Sequence, residues 1–246
     1  MNICIDQGNS RTKVAIFRED GHRVKSLIYK SMHSADVEKL FSLYPIENSI
    51  ISSVATIEPA VLNVLSRRSK RFILFDHQTP IPIVNKYETP QTLGQDRLAA
   101  AIGANYLCPN ENLLIIDAGS AITYDIVTEA GEYLGGNIAP GIKMRLRALN
   151  LLTDKLPLIE VDENQLIPLF GLNTNDAIAA GVIRGVIYEV KGYMHVMEER
   201  LPHFQTYLTG GHATYVYNNL RRQVRMEKAL VLIGLNRILA YNMQEN

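Results

Sequence analysis

The chain reads Ile3-Cys4-Ile5-Asp6-Gln7-Gly8-Asn9-Ser10-Arg11-Thr12-Lys13-Val14-Ala15-Ile16-Phe17 near its start. An apolar run ends in the acid Asp6, small residues follow, and a second run alternates polar and apolar side chains. This pattern predicts a strand, a tight turn and a returning strand, which together form a β-hairpin. Gly8 and Asn9 suit either positive backbone φ angles or a backbone that must approach a ligand closely.

The polar groups of this hairpin suit a phosphate and a metal ion together. The turn exposes backbone N–H groups, and Ser10, Thr12 and Lys13 add side-chain donors. Asp6 lies at the mouth of the hairpin, where its carboxylate suits a hydrated Mg²⁺. An Asp-x-Gly-Asn turn is also typical of a purely structural hairpin, so the residues alone leave both interpretations open.

A second stretch repeats the same pattern. Residues 113–127 read Leu-Leu-Ile-Ile-Asp-Ala-Gly-Ser-Ala-Ile-Thr-Tyr-Asp-Ile-Val, an apolar strand that ends in Asp-x-Gly and returns through alternating residues. Asp117 and Gly119 therefore correspond to Asp6 and Gly8. The repetition predicts two halves, residues 1–110 and 111–246, each of which opens with a phosphate-type hairpin. Two such hairpins facing each other across a cleft would grip a nucleotide from both sides.

The composition is that of an ordinary globular protein. Of the 246 residues, 47% are hydrophobic and 20% are charged, and 25 basic residues balance 25 acidic ones. This balance argues against a role based on binding nucleic acid or an anionic membrane. The two cysteines, Cys4 and Cys108, lack metal-ligand spacing and are expected to be buried free thiols. We recognise no signal peptide and no apolar run long enough to span a membrane, so we expect a cytoplasmic protein.

The ordered set of motifs resembles the type III pantothenate kinases, a family within the superfamily of sugar kinases, actin and heat-shock chaperone ATPases. The matching stretches are Asp6–Lys13, Gly94-Gln95-Asp96-Arg97, Asp117–Thr123, Asn173-Thr174 followed by Ala177 and Gly181, and Thr209-Gly210-Gly211. The resemblance implies an α/β fold of two duplicated ribonuclease H-like halves, each a mixed five-stranded sheet with flanking helices, around a nucleotide cleft. It also implies ATP-dependent phosphorylation of pantothenate to 4'-phosphopantothenate, the first step of coenzyme A biosynthesis.

Gly94-Gln95-Asp96-Arg97 is the most informative motif of the first half. Asp96 is predicted at the start of a helix, where an acid often caps the helix and interacts favourably with its dipole. Phosphoryl transfer to an alcohol also needs a carboxylate that orients and deprotonates the hydroxyl, and Arg97 suits an anionic substrate group. The resemblance implies that Asp96 is the catalytic base. The pantothenate contacts that it implies are Tyr87, Gly94, Gln95, Asp96, Arg97 and Thr174.

The resemblance also implies how ATP and its ions are held. The implied ATP contacts are Asp6, Gln7, Gly8, Asn9, Ser10, Arg11, Thr12, Lys13 and Ser120. Ser120 stands where the family usually has Thr, and it keeps the hydroxyl although its rotamer is less fixed. Asp6 would hold Mg²⁺ through water, and Asp117 would bind a monovalent cation, K⁺ or NH₄⁺. The glycines of Thr209-Gly210-Gly211 would lie against the adenosine, whereas His212 is expected not to contact the nucleotide.

A long helix is predicted over residues 173–199. Its Gly181, Gly185 and Gly192 permit close packing either within the chain or against a partner. The resemblance favours a homodimer in which Thr174 completes the pantothenate site of the other subunit. Two alternatives remain: a superfamily kinase that acts on another small alcohol, and a non-catalytic regulatory relative such as a transcriptional accessory protein. The regulatory alternative would be expected to lack Asp96 or the hairpin acids, all of which are present.

Overall fold

The computed structural model describes residues 1–162, 166–201, 203–220 and 223–244. Its contacts divide the chain into two units. The first unit contains residues 1–109, 131–133 and 229–246, and the second contains residues 110–130 and 134–228. The sequence predicted one boundary, between residues 110 and 111. The structure differs from this prediction because the C-terminal helix packs with the first unit.

Hairpins and crossover helices succeed one another along the chain. Within the described residues the strands are β1 (Asn2–Gln7), β2 (Thr12–Phe17), β3 (Arg23–Tyr29), β4 (Asn48–Ser53), β5 (Arg71–Leu74), β6 (Val84–Asn85), β7 (Asn112–Ala118), β8 (Ala121–Val127), β9 (Glu132–Pro140), β10 (Phe204–Thr209) and β11 (Arg225–Met226). The helices are α1 (Ser34–Leu43), α2 (Pro59–Arg68), α3 (Gln95–Leu107), α4 (Ile142–Leu151), α5 (Thr174–Arg200), α6 (Ala213–Leu220) and α7 (Leu230–Gln244), and Pro90–Thr92 forms a 3₁₀ turn. Strand β6 contains only two residues.

The two units repeat one sheet topology. In the first unit the spatial order is β3-β2-β1-β4-β5, with β1 antiparallel to β2 and parallel to β4. In the second unit the order is β9-β8-β7-β10-β11, with β7 antiparallel to β8 and parallel to β10. The short β6 pairs with Glu132 and Tyr133 at the start of β9, which belong to the first unit. The predicted fold class, two duplicated α/β halves with mixed sheets, is confirmed.

Apolar side chains of the first sheet are buried under helices. Ile3, Ile5 and Val14 share one buried cluster with apolar residues of α1 and α2. Helix α7 packs against β1, β4 and α3. Cys4 and Cys108 are buried free thiols, as predicted. The first unit therefore takes its last helix from the far end of the chain.

Helices α3 and α7 cross with their backbones almost in contact. A Cβ atom added at Gly234 of α7 would lie 1.8 Å from the carbonyl oxygen of Ala99 on α3. A Cβ atom at Gly103 of α3 would lie 2.3 Å from the carbonyl oxygen of Leu230. Real Cβ atoms do not approach heavy atoms this closely, so only glycine fits at these two positions.

The second unit buries one face of α5. Apolar residues of α4, α5 and α6 form one cluster with residues of β7, β8 and β10, and Tyr124 on β8 is among the largest buried side chains. None of the described helices is both long enough and apolar enough to cross a membrane.

Candidate active site

The first hairpin carries an acid and a base side by side. Asp6, in β1, lies directly opposite Lys13 on β2. Residues that are directly opposite in an antiparallel pair share a face of the sheet, so the carboxylate and the ammonium group lie on the same side. Asp6 is only 7% exposed. The neighbouring Gln7 turns its amide to the loop after β4, where Nε2 donates to the carbonyl oxygen of Thr56 at 3.1 Å.

The turn of this hairpin is a tight loop with exposed residues. The N–H of Gly8 donates to the carbonyl oxygen of Arg11 at 3.1 Å and closes the turn. Neither Gly8 nor Asn9 has a positive φ angle, so that interpretation of the sequence is wrong. A Cβ atom at Gly8 would lie 3.3 Å from the Arg11 carbonyl oxygen, so the small residue serves close backbone packing. Asn9, Ser10 and Arg11 are exposed, and Thr12 is buried.

The carboxylate of Asp96 lies in the first turn of α3. Gly94 is the N-cap residue, so Asp96 does not cap the helix in the strict sense that the sequence suggested. Its Oδ1 atom accepts a hydrogen bond from the N–H of Arg97 at 2.9 Å. A Cβ atom at Gly94 would lie 2.7 Å from this Oδ1 atom, so glycine leaves room for the carboxylate. The carboxylate therefore lies at the positive end of the helix dipole.

Arg97 and Tyr87, two predicted substrate contacts, lie together. The central guanidinium carbon of Arg97 is 5.7 Å from the centre of the Tyr87 ring, a cation–π distance. The Tyr87 ring is 6.2 Å from the ring of Tyr133, between centroids. Arg97 is only 6% exposed. A buried guanidinium stacked on an aromatic ring is held in one orientation, as bidentate recognition of a carboxylate requires.

Gln95 offers an acceptor beside these groups. Its Nε2 atom donates to the carbonyl oxygen of Leu93 at 3.1 Å, which fixes the orientation of the amide. Its Oε1 atom is buried and accepts no hydrogen bond from any described residue. Buried acceptors are rarely left without a donor in folded proteins, so this atom suits a hydroxyl or amide of a ligand.

The second hairpin is packed against the turn that follows β10. Gly210 has a φ angle of 98°, which favours glycine. A Cβ atom there would lie 2.4 Å from Oδ1 of Asp117. The N–H of His212 donates to the carbonyl oxygen of Ala118 at 2.9 Å, and the N–H of Gly141 donates to that of Ser120 at 3.1 Å. The structure thus brings Asp117, Ser120 and the Thr209-Gly210-Gly211 motif together.

A polar network that the sequence analysis missed supports this hairpin. Glu189 on α5 accepts from the hydroxyl of Tyr124 through Oε1 and from the guanidinium of Arg145 through Oε2, both at 2.7 Å. Arg145 also donates from Nε to the carbonyl oxygen of Pro140 at 2.6 Å. Burial, together with the hydrogen bond to Glu189, raises the pKa of Tyr124. The partners are 44 and 65 positions from Glu189, so no local spacing reveals them.

Thr174 is the first residue of α5 and is exposed. The N-cap residue Asn173 fixes this helix end, since its side chain accepts from the N–H of Asp176 at 3.0 Å. Farther along α5, Cβ atoms added at Gly181, Gly185 or Gly192 would meet no heavy atom of the described residues within 4 Å. These glycines therefore do not serve close packing within the described chain.

The carboxylates of Asp6 and Asp117 suit ions whose other ligands are oxygens of phosphate or of the backbone. Within the described residues, no group of three or more His, Cys, Asp and Glu side chains could hold a metal ion by itself. A hydrated Mg²⁺ that also binds phosphates needs only one or two protein carboxylates, so Asp6 alone suffices. Asp117 supplies a carboxylate for a second cation, and its Oδ1 atom lies close to Gly119, where an added Cβ atom would be 3.1 Å away.

Solved structures with a similar backbone define the fold. A Baf family transcriptional activator from Campylobacter jejuni matches with a TM-score of 0.64 at 23% identity, and the match covers 98% of this chain and 99% of that one. A 2-dehydro-3-deoxygalactonokinase from Sinorhizobium meliloti matches with a TM-score of 0.57 at 13% identity over 97% and 98% of the two chains. The chain therefore has the duplicated fold of the sugar kinases and actin-like ATPases.

Sequence comparison then defines the family. The model of the type III pantothenate kinases matches residues 2–196. A type III pantothenate kinase from Phocaeicola vulgatus is 44% identical over 98% of this chain and 99% of its own length. One from Porphyromonas gingivalis is 39% identical over 98% of both chains. The chain belongs to the type III pantothenate kinase family.

Proposed function

We propose that this protein transfers the γ-phosphoryl group of ATP to the primary hydroxyl of pantothenate, the first step of coenzyme A synthesis, in the cytoplasm. The observation that carries the proposal is the group formed by Asp96, Arg97 and Tyr87 at the start of α3, in a member of this family. A carboxylate, a buried guanidinium and an aromatic ring suit a substrate that has both a hydroxyl and a carboxylate.

On the acceptor side, Asp96 orients the hydroxyl and takes its proton as the oxygen attacks phosphorus. Arg97, held against Tyr87 at 5.7 Å, binds the pantothenate carboxylate. Gln95 accepts a hydrogen bond from the substrate through its buried Oε1 atom. Gly94 leaves the space that the Asp96 carboxylate occupies.

On the donor side, the turn of the first hairpin binds the phosphates through its backbone N–H groups and exposed polar side chains. Lys13, opposite Asp6, adds a positive charge on the same face. Ser120 contacts a phosphate from the second hairpin. Asp6 would hold Mg²⁺ and Asp117 would hold a monovalent cation, and these ions would neutralise phosphate charge.

A substrate panel tests this function. Purified protein with ATP, Mg²⁺ and K⁺ should form ADP in the presence of pantothenate and much less with other small alcohols and sugars. The same reaction in Na⁺ buffer should be much slower, and the Asp117→Asn variant should respond less to K⁺ than the wild type. Phosphorylation of another alcohol in preference to pantothenate would contradict the assignment, and full activity in Na⁺ alone would contradict the cation role of Asp117.

We also propose that the protein is a homodimer with a shared pantothenate site. The face of α5 beside Gly181 and Gly185 borders a cavity of about 660 Å³ with Phe170 and Tyr188. These two side chains are 77% and 54% exposed. A second copy that covers this apolar face would bury it and bring its Thr174 toward the site of its partner.

Complementation between two weakly active variants tests the shared site. In a mixed dimer of Asp96→Asn and Thr174→Val chains, one site carries both changes and the other carries neither. Random exchange makes about half of the dimers mixed, so we expect about a quarter of wild-type activity to return. The activity of the mixture is measured after subunit exchange, with each variant alone as control. If both residues served one site within a chain, mixing would restore nothing.

A further inference from the structure

Each unit of the fold buries a serine or threonine hydroxyl that has no hydrogen-bond partner among the described residues. In the first unit it is Oγ of Ser52, near the end of β4, and in the second unit it is Oγ1 of Thr209, at the end of β10. The two residues are 0% and 1% exposed. Buried hydroxyls are rarely left without a partner, so these two suit groups that they meet when a ligand is bound.

Both hydroxyls lie beside a hairpin acid. Ser52 is paired with Asp6 in the parallel ladder of β1 and β4, and Thr209 is paired with Asp117 in that of β7 and β10. Paired residues of neighbouring strands share a face of the sheet. Strands β4 and β10 occupy equivalent places in the two sheets. The duplicated fold therefore places one buried hydroxyl beside each of the two hairpin acids.

Another pair on the same two strands shows that such side chains can meet. Asn2 and Asn48 are paired four residues earlier in the ladder of β1 and β4, and Nδ2 of Asn48 donates to Oδ1 of Asn2 at 3.0 Å. Side chains alternate between the faces of a strand, so positions four apart share a face. Neighbouring strands are about 4.8 Å apart, so rotation about its Cα–Cβ bond can turn the Ser52 hydroxyl toward the carboxylate of Asp6.

The loop after β4 is bound to the end of β1. The N–H of Val54 donates to the carbonyl oxygen of Gln7 at 3.1 Å. In return, Nε2 of Gln7 donates to the carbonyl oxygen of Thr56, also at 3.1 Å. These two bonds hold the ends of the strands together, so the position of Ser52 relative to Asp6 is fixed by the backbone.

We propose that Ser52 and Thr209 are positioning residues, each of which donates a hydrogen bond to the neighbouring hairpin carboxylate and orients it toward its ion. The inference rests on the proposed function, in which Asp6 holds Mg²⁺ and Asp117 holds a monovalent cation. An ionised carboxylate only accepts hydrogen bonds, and a hydroxyl supplies the donor. Carboxylates that bind metal ions are themselves hydrogen-bonded, and loss of such a partner weakens metal binding by about 10–100-fold.

The test measures how ATP binding depends on each ion in the absence of pantothenate. Equilibrium dialysis gives the Kd for ATP across a Mg²⁺ series at fixed K⁺ and across a K⁺ series at fixed Mg²⁺. In Ser52→Ala we expect the Mg²⁺ concentration of half-maximal effect to rise about tenfold and the K⁺ concentration to stay at the wild-type value. In Thr209→Val, which nearly keeps the shape of the side chain, we expect the opposite pattern.

Each variant is the control for the other, and Ser49→Ala is a control for both. Ser49 lies three residues before Ser52 on β4 and therefore on the opposite face, is also 0% exposed, and has its Oγ atom 2.7 Å from that of Ser69. Its loss should leave both ion dependences unchanged. Ser52→Ala and Thr209→Val remove no hydrogen bond within the described chain, so their melting temperatures should equal or exceed that of the wild type.

A double-mutant cycle then separates positioning from a general effect on the fold. If Ser52 acts through Asp6, Ser52→Ala should not change the Kd for ATP in a protein that already carries Asp6→Asn. An equal loss with and without Asp6→Asn would overturn the inference.

The ion series can also contradict the proposal. It is overturned if either variant keeps the ion dependence of the wild type, or if both dependences shift together in either variant. Failure of the proposed function has a different signature: the wild type would show ion-dependent ATP binding but would not phosphorylate pantothenate. Binding that depended on neither ion would overturn both the ion roles of the two acids and the inference.

Discussion

Asp96→Asn should fold like the wild type and lose turnover by a factor of about 10²–10⁴, the range for removal of a general base. The amide keeps an oxygen that can accept from the N–H of Arg97, a bond of 2.9 Å in the native protein. It cannot take the proton of the attacking hydroxyl. The lost charge near the helix N-terminus weakens stability by only about 0.3–1 kcal/mol. The kcat with saturating pantothenate and ATP is the quantity to measure.

Asp36→Asn is the matched control for this change. Asp36 is also an acid in the first turn of a helix, α1, and it accepts from the N–H of His33 at 2.9 Å. The control therefore repeats the loss of a helix-start charge away from α3, and its turnover should be unchanged. If Asp96→Asn kept a kcat near the wild-type value, Asp96 would have no role in the chemistry. Its interaction with the helix dipole would then explain why an acid lies there.

Gly234→Ala should destabilise the first unit by about 3 kcal/mol, at the upper end of the range for overpacked cores. The new methyl carbon would lie 1.8 Å from the carbonyl oxygen of Ala99, so α3 and α7 must move apart. For a chain of this size such a loss lowers the melting temperature by roughly 6–12 °C. Thermal unfolding followed by circular dichroism measures the shift.

Gly192→Ala is the control, because it adds the same methyl group to a helical glycine with open space around it. Apart from its own helix backbone, no heavy atom of the described residues would lie within 4 Å of the new methyl carbon, and alanine favours a helix over glycine by up to about 1 kcal/mol. Its melting temperature should be equal to or above that of the wild type. If the two variants had the same melting temperature, the contact between α3 and α7 would not limit the stability of the first unit.

The hairpins could be predicted because their signals are local. An apolar run that ends in Asp-x-Gly and an alternating return determine a strand pair within a few residues, and both antiparallel pairs form as predicted. The turn geometry was less predictable. The φ angle of Gly8 is not positive, whereas the φ angle of Gly210 is 98°. Glycine alone does not distinguish a left-handed backbone from a close approach, and both uses occur in this chain.

The remaining contacts depend on chain packing, which spacing does not reveal. No pattern around Leu230 or Gly234 indicates that α7 joins α3 in the first unit rather than its sequence neighbours in the second. Likewise, nothing in the sequence around Arg145 or around Glu189 indicates that these two residues form an ion pair. The family resemblance implied that Tyr87 and Arg97 contact the substrate. Only the folded structure shows that these two side chains pack against each other.

The origin of the last helix of the first unit affects the order of events on the ribosome. Domains usually fold in the order in which they are synthesised, with the N-terminal one first. Here β7 to β11 leave the ribosome before α7, whose Gly234 covers the surface of α3 around Gly103. The nascent chain can thus complete its second unit while the first still lacks a helix. Until α7 has been synthesised, this uncovered surface of α3 remains open to chaperones and proteases.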